Sequence, residues 1–298
     1  MHKIILRAGA LEAGVAPAVG AGITHFFTRA EGRTFHLLRP APETFDEVRR
    51  SACFPLVPFS NRVRDGYFEF QRQRVQLSPN MPGQKHPMHG SGWRRAWTLT
   101  THDDAHAELV LRHTASEWPW TFEARQRVEL DEHGLTLTLS VRNLSDHPMP
   151  AGLGFHPYFL CDERTTLNAD TRWVWLTDDE LMPTQRQPVS GRYLIHNRSM
   201  LEQALDNGYE GWSGHATIDW GPIGLRMSAP STPFFQCFSP RPGAGLYVPE
   251  GWGVFAAEPV THANAALNRP AGEWPATGLR ILQQHQQTTL SARFEVLR

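Results

Sequence analysis

Gly134-Leu135-Thr136-Leu137-Thr138-Leu139-Ser140-Val141-Arg142-Asn143 alternates apolar and polar residues from its second position onward. A period of two marks a strand with one buried face, because successive side chains leave the backbone on opposite sides. Leu135, Leu137, Leu139 and Val141 therefore share a face. Residues 122–130 and 108–113 alternate in the same way, and Asp131-Glu132-His133-Gly134 joins the last two strands as a hairpin. Glycine is expected to supply a positive φ there. Strands in sequence with short turns between them predict an antiparallel meander.

Further strands are expected outward from this block. On the N-terminal side lie 4–7 and 23–29, around a loop at Gly14-Val15-Ala16-Pro17, and then 66–70. On the C-terminal side lie 172–176, 216–218, 224–228, 234–238 and 290–296. Residues 44–53 read as one short helix, with Thr44 as N-cap and acids in the first turn. No internal repeat, low-complexity tract or long linker divides the chain, so a single domain over residues 1–298 is expected. Residues 1–22 are read as opening strands and not as a signal peptide, since Glu12 and Pro17 interrupt any apolar run.

Composition narrows the class of function. The 29 basic and 30 acidic residues balance, so no broad field calls for nucleic acid or an anionic membrane. Twenty-three prolines and 24 glycines argue for many turns and short strands. Ten tryptophans and 15 histidines suit a ligand cleft with stacking faces, although tryptophan is equally good core material. Cys53, Cys161 and Cys237 form no CxxC pair, so a reducing cytoplasm is the expected location. No segment has the length of a membrane-spanning helix.

Two residues stand out chemically. His156, in Gly154-Phe155-His156-Pro157-Tyr158-Phe159, is followed directly by proline, which presses it into extended backbone and fixes its ring. Most lone histidines are half-buried and bonded to a carbonyl. Glu258 follows an apolar run and also precedes a proline, in Ala256-Ala257-Glu258-Pro259-Val260-Thr261-His262. A carboxylate in such a run demands a partner or a shifted pKa, and a backbone- or arginine-bound glutamate is the bland reading. Taken together they make a general base and a general acid. His86-Pro87-Met88-His89-Gly90 invites a metal, but Pro87 and Gly90 oppose the helix that three-residue spacing requires, so no metal is expected. Phosphate loops, nucleophile elbows and catalytic Cys/His pairs are lacking in the sequence.

These elements carry a family resemblance. Asn61-Arg62 before Gly66-Tyr67-Phe68-Glu69-Phe70, the HPMHG loop with Trp97, the GFHPYF element and the EPVTH element resemble aldose 1-epimerases (galactose mutarotases) in order and spacing from about residue 10 to the end. The resemblance implies an all-β chain, a large antiparallel β-sandwich of the galactose mutarotase-like supersandwich kind. It implies that Glu258 is the base that takes the proton of the anomeric hydroxyl, and that His156 is the acid that protonates the ring oxygen. Arg62 and His89 match residues that bond the sugar near the ring oxygen. Asp206 matches a residue that grips hydroxyls, and Gln236 one near the anomeric centre. It further implies a small-molecule hexose substrate, no cofactor, and a monomer or homodimer. Arg72, Arg74, Lys85, Arg94 and Arg95 are cations that a C6 phosphate or sulfonate could meet, so an anionic hexose is an alternative. A non-catalytic carbohydrate-binding protein is a rival, which predicts loss of the acid or the base. A sandwich domain of a larger glycoside-processing enzyme is disfavoured on the expectation that the chain is complete in itself. A retaining glycosidase would need a second carboxylate about 5–5.5 Å from the first, and only Glu258 stands out.

Overall fold

The computed structural model describes residues 2–241 and 243–297. Three antiparallel sheets of four, nine and eight strands dominate it. The meander runs through the nine-stranded sheet, where Thr98–His102, His106–His113, Phe122–Asp131 and Gly134–Asn143 follow in chain order and Gln287–Leu297 pairs with the last. Leu137 lies between Val128 and Ala292 in this ladder. All three are fully buried, and burying a leucine side chain contributes about 1.5–3 kcal/mol. The leucine face meets residues of the eight-stranded sheet, including Phe155, Phe159 and Phe255, in one core cluster. This gives the large β-sandwich that the strand pattern and the resemblance led us to expect.

Three local expectations are corrected. Gly134 does not have a positive φ. The hairpin is closed instead by Asp131 Oδ1, which accepts from the His133 and Gly134 N–H groups at 2.8 and 3.0 Å. Glycine is needed for space, since a Cβ would stand 2.3 Å from the Phe294 carbonyl oxygen. The helix over 44–53 shrinks to one 3-10 turn, Val48–Arg50, without a side-chain cap. Glu47 and Ser51 are extended and bound the turn; Ala52 and Cys53 leave the helical path to bond with Ile23, and the Arg39 guanidinium takes the carbonyls of Arg49 and Ser51. Finally, the Gly14–Pro17 loop is mostly strand. Leu11–Ala16 pairs on both sides, and its small residues are buried on both faces, so it shows no alternation.

The remaining strand signals appear as Trp173–Thr177, His215–Asp219, Gly224–Ser228 and Phe234–Ser239. The eight-stranded sheet holds the order Pro183–Pro188, Trp173–Thr177, Leu205–Glu210, Phe234–Ser239, Gly253–Val260, Gly154–Phe155, Pro55–Leu56, with Tyr158–Cys161 also on Gly253–Val260. No helix among the described residues is long and apolar enough to cross a membrane.

Candidate active site

The site is a row across the eight-stranded sheet. Gly154 pairs with Val260 and Tyr158 with Ala256, so the same register runs through both short strands. His156 therefore falls opposite Glu258, at the point where Pro157, lacking an N–H, interrupts the ladder. On the far side of Glu258 the next strand places Gln236 directly opposite, and Gly208 follows opposite Gln236. On the other side His156 donates its N–H to the Phe54 carbonyl at 3.0 Å, and the two rings stack at 4.8 Å. Phe54, His156, Glu258, Gln236 and Gly208 thus follow one another along a single row, and cross-strand neighbours of this kind touch. His156 Nε2 lies 3.3 Å from Glu258 Oε1. The two stand side by side on one face of the sheet.

Burial dominates their electrostatics. It holds the His156 imidazole down at about 3, with the Arg39 guanidinium adding to the effect and a backbone hydrogen bond opposing it. Burial also pushes the Glu258 carboxyl well above the usual carboxylate range, helped by Asp206 and opposed by Arg62. The empty pair is thereby driven towards its uncharged form, with one proton on the carboxyl and a neutral imidazole.

A polar chain flanks the row. Arg62 Nη2 meets Asp206 Oδ2 at 3.2 Å, and Gln236 Nε2 donates to Asp206 Oδ1 at 2.7 Å. Gln236 Oε1 in turn accepts from Asn264 at 2.8 Å, which fixes the amide's orientation. Asp206 shares a sheet face with Gly208 by the two-residue period, and the missing side chain at 208 leaves room for the two amides. Burial raises the Asp206 carboxyl, while Arg62 and Gln236 pull it back.

His89 enters from the loop above. Its backbone φ is +61°, and that of Asn61 is +57°. The two residues grip each other: the Asn61 N–H donates to His89 Nδ1 at 3.1 Å, and the His89 N–H donates to the Asn61 carbonyl at 2.9 Å. With Nδ1 accepting, and with burial holding the ring well below its ordinary pKa, the proton resides on Nε2. The structure therefore brings together all six residues singled out in the sequence: all line one cleft of about 100 Å³, with Phe54, Trp93 and Tyr158 as its aromatic walls.

Several supporting residues escaped the sequence reading. Asn61 Oδ1 accepts from the Arg62 N–H at 2.8 Å, so it sets the backbone from which Arg62 departs. His262, the end of EPVTH, accepts the Ser60 N–H at Nε2 (3.0 Å) and donates from Nδ1 to the Ala263 carbonyl (2.8 Å), bracing the segment before Asn61. Thr261 Oγ1 accepts from Leu153 N–H at 2.8 Å, which pins the strand that leads to His156. Arg39 is fully buried, and its guanidinium carbon sits 3.9 Å from the centre of the Tyr158 ring. That ring packs 4.5 Å from His156. Arg39 also donates to the Tyr247 carbonyl at 2.9 Å, tying down the loop that brings Leu246 over the cleft. A lone buried arginine near a proline turn gives no periodic signal, so only the contacts reveal it.

Two of the other cations are engaged elsewhere. Lys85 pairs with Asp65 and Glu180 at 3.1 and 2.8 Å, and Arg74 lies over the Tyr67 ring at 4.5 Å. Among the described residues the cations lining the cleft are Arg49 and Arg62. The two histidines of HPMHG diverge: His86 accepts the Asp65 N–H at 2.9 Å and contacts Glu180, whereas His89 turns to Asn61.

With this geometry in place, comparison with known proteins is informative. A family profile described as aldose 1-epimerase matches residues 2–272. YphB, an uncharacterised protein of Escherichia coli K12, is 31% identical over 246 residues, 80% of this chain and 82% of its own. A crystal structure of a candidate aldose 1-epimerase from Escherichia coli K12 superposes with a TM-score of 0.88 at 29% identity, covering 99% of both chains. A galactose mutarotase-like protein from Clostridium acetobutylicum has the same fold, with a TM-score of 0.83 at 18% identity, over 99% of this chain and 95% of that one.

Proposed function

The chain belongs to the aldose 1-epimerase family, and we propose that it interconverts the α and β anomers of a hexose by acid–base ring opening and reclosure. The observation that carries this reading is the row in which His156 Nε2 and Glu258 Oε1 stand 3.3 Å apart on one sheet face. The anomeric hydroxyl O1 and the ring oxygen O5 are both bonded to C1, so two groups side by side reach both oxygens at once.

A shift of the pair's one proton from Glu258 to His156 Nε2 gives a carboxylate and an imidazolium; Glu258 then accepts the O1 proton while the O1–H electron pair forms the C1=O1 bond. The C1–O5 bond breaks with its pair moving to O5, which takes the proton from His156 Nε2. Rotation about C1–C2 presents the other face of the aldehyde, and the same transfers in reverse close the ring. The open-chain intermediate leaves Glu258 protonated and His156 neutral. That is the uncharged form burial favours, so ring opening returns the pair to its resting protonation state. His89 Nε2–H and Arg62 supply donors beside the ring oxygen, and Asp206 and Gln236 bond the hydroxyls. Acid and base terms of about 10²–10⁴-fold each suffice for a reaction that already proceeds in water.

The reading also treats residues 1–298 as one domain, supported by a core cluster to which all three large sheets contribute. NMR exchange spectroscopy over glucose, galactose, hexose 6-phosphates and sulfonated hexoses tests it. Faster anomer exchange with at least one of them is expected. Binding without acceleration anywhere in the panel would replace the enzyme with a carbohydrate-binding protein.

A further inference from the structure

A second hollow, of about 350 Å³, adjoins the cleft at Arg49, Met81 and Trp93. It is larger than the cleft itself and plays no part in the chemistry described above. Its position relative to the reacting atoms follows from the aromatic stack: His156 lies on Phe54 at 4.8 Å, and Phe54 on Trp93 at 5.8 Å. The stack therefore leads from His156, away from Glu258, to the hollow. If His156 serves O5, the ring atoms on that side are C5 and its substituent C6, because C5 is the other carbon bonded to O5.

The walls of the hollow indicate what it takes. Asp46 and Glu47 face it together with Arg49 and Arg94, so carboxylates and guanidiniums are equal in number. Glu47 pairs with Arg49, and Arg94 donates to the Asn80 carbonyl at 2.5 Å. A phosphate or sulfonate would meet the two carboxylates as well as the cations. A neutral polyhydroxyl group uses donors and acceptors alike, and Val19, Met81 and Pro82 in the same wall offer it apolar contact. Resting on the anomerase reading, we propose that the hollow is a second sugar subsite, and that the substrates include reducing disaccharides joined through O6 of the reacting hexose.

The test compares anomer exchange of isomaltose and melibiose, joined through O6, with that of maltose and lactose, joined through O4, in the wild type and in Ala18→Trp. Ala18 is exposed, lines the hollow and touches nothing in the cleft. The O6-linked sugars are expected to show kcat/KM about tenfold above their O4-linked isomers, the gain from one or two added hydrogen bonds. Ala18→Trp should erase that advantage and leave glucose unchanged. Equal rates for the two linkages, or an advantage that survives Ala18→Trp, would overturn the subsite while leaving the monosaccharide reaction intact. If no sugar is turned over at all, the anomerase reading falls, and saturation-transfer NMR with isomaltose still decides the subsite. Contact to the non-reducing ring that is lost in Ala18→Trp supports it; no contact to that ring refutes it.

Discussion

The strand Gly134–Asn143 buries its side chains alternately, whereas Gly253–Val260 buries seven of its eight residues, Glu258 among them. Leu137 and Glu258 are each almost wholly out of water, at 0% and 2% exposure. Burial of Leu137 stabilises the fold through the apolar area removed from solvent. Burial of Glu258 costs stability, because a carboxylate loses its hydration and gains only the His156 ring at 3.3 Å and the charge of Arg62. One sheet is built to hold the molecule together, and the other holds an unstable arrangement in place. Variants in the two regions should separate accordingly.

The largest effect is expected from Glu258→Gln. Removing the base should lower anomer exchange by up to about 10⁴-fold, with sugar binding retained in titrations followed by tryptophan fluorescence. The same change should raise the melting temperature, by about 2–4 °C for each kcal/mol gained. Because the folded pKa of Glu258 lies above the ordinary value, its stabilising share is complete below about pH 4.5 and is lost as the pH rises through the folded pKa. The thermal gain in Glu258→Gln should thus be larger at pH 8 than at pH 5. Retained turnover would show that Glu258 is not the base.

Acid comes next. Burial holds His156 at about 3 and His262 at about 4, and holds His89 well below its ordinary value. An unfolded chain takes up protons at these imidazoles near pH 6.5, while the folded one resists. Their contribution is complete above pH 6.5 and is lost as the pH falls towards about 4. Each such site changes stability by about 1.4 kcal/mol per pH unit, so the three together give up to about 4 kcal/mol per unit. Urea midpoints measured from pH 7 to 5 should fall steeply, and His262→Gln, which replaces one titrating ring, should flatten the slope by about a third. An unchanged slope would mean that His262 ionises freely in the fold.

These contrasts also explain what could be read in the sequence. The meander was legible because alternation is local, and strands 106–113, 122–131 and 134–143 fall where the pattern put them. His156 and Glu258 stood out because each is followed by a proline, a signal within two residues. That they are neighbours was not legible, since it rests on a register between segments a hundred residues apart. Asn61 and His262 lie in motifs read from the sequence, but their roles, like those of Asn264 and Arg39, rest on hydrogen bonds that carry no periodic signal. The short helix expected at 44–53 gave way for a similar reason: Ala52 and Cys53 bond to the distant Ile23.

Leu137→Ala sharpens the comparison from the other side. It deletes a side chain held between Val128 and Ala292 on both flanking strands, and should cost about 2–5 kcal/mol in denaturant unfolding. Anomer exchange per folded molecule should be unchanged, because none of the residues lining the cleft belongs to the core cluster that holds Leu137. A fall in turnover matching the fall in stability would mean that the two sheets are not separable in function.

The smallest effect isolates one hydrogen bond. Asn61 has a left-handed backbone, a conformation glycine adopts without strain, so Asn61→Gly keeps the chain path and both backbone contacts to His89. It removes only Oδ1, and with it the 2.8 Å bond to the Arg62 N–H. The loss should cost about 1 kcal/mol, seen as a roughly fivefold rise in KM with kcat little changed. Asn61→Ala removes the same bond and adds the steric cost of a Cβ in left-handed backbone, about 1–2 kcal/mol more. If Asn61 presents Arg62 to the sugar, KM should rise in both variants and stability should fall further in alanine than in glycine. If Asn61 is only a turn residue, glycine should leave KM untouched, and alanine should lower stability alone. The KM of Asn61→Gly relative to the wild type therefore tells whether the polar floor extends its control into the loop above it.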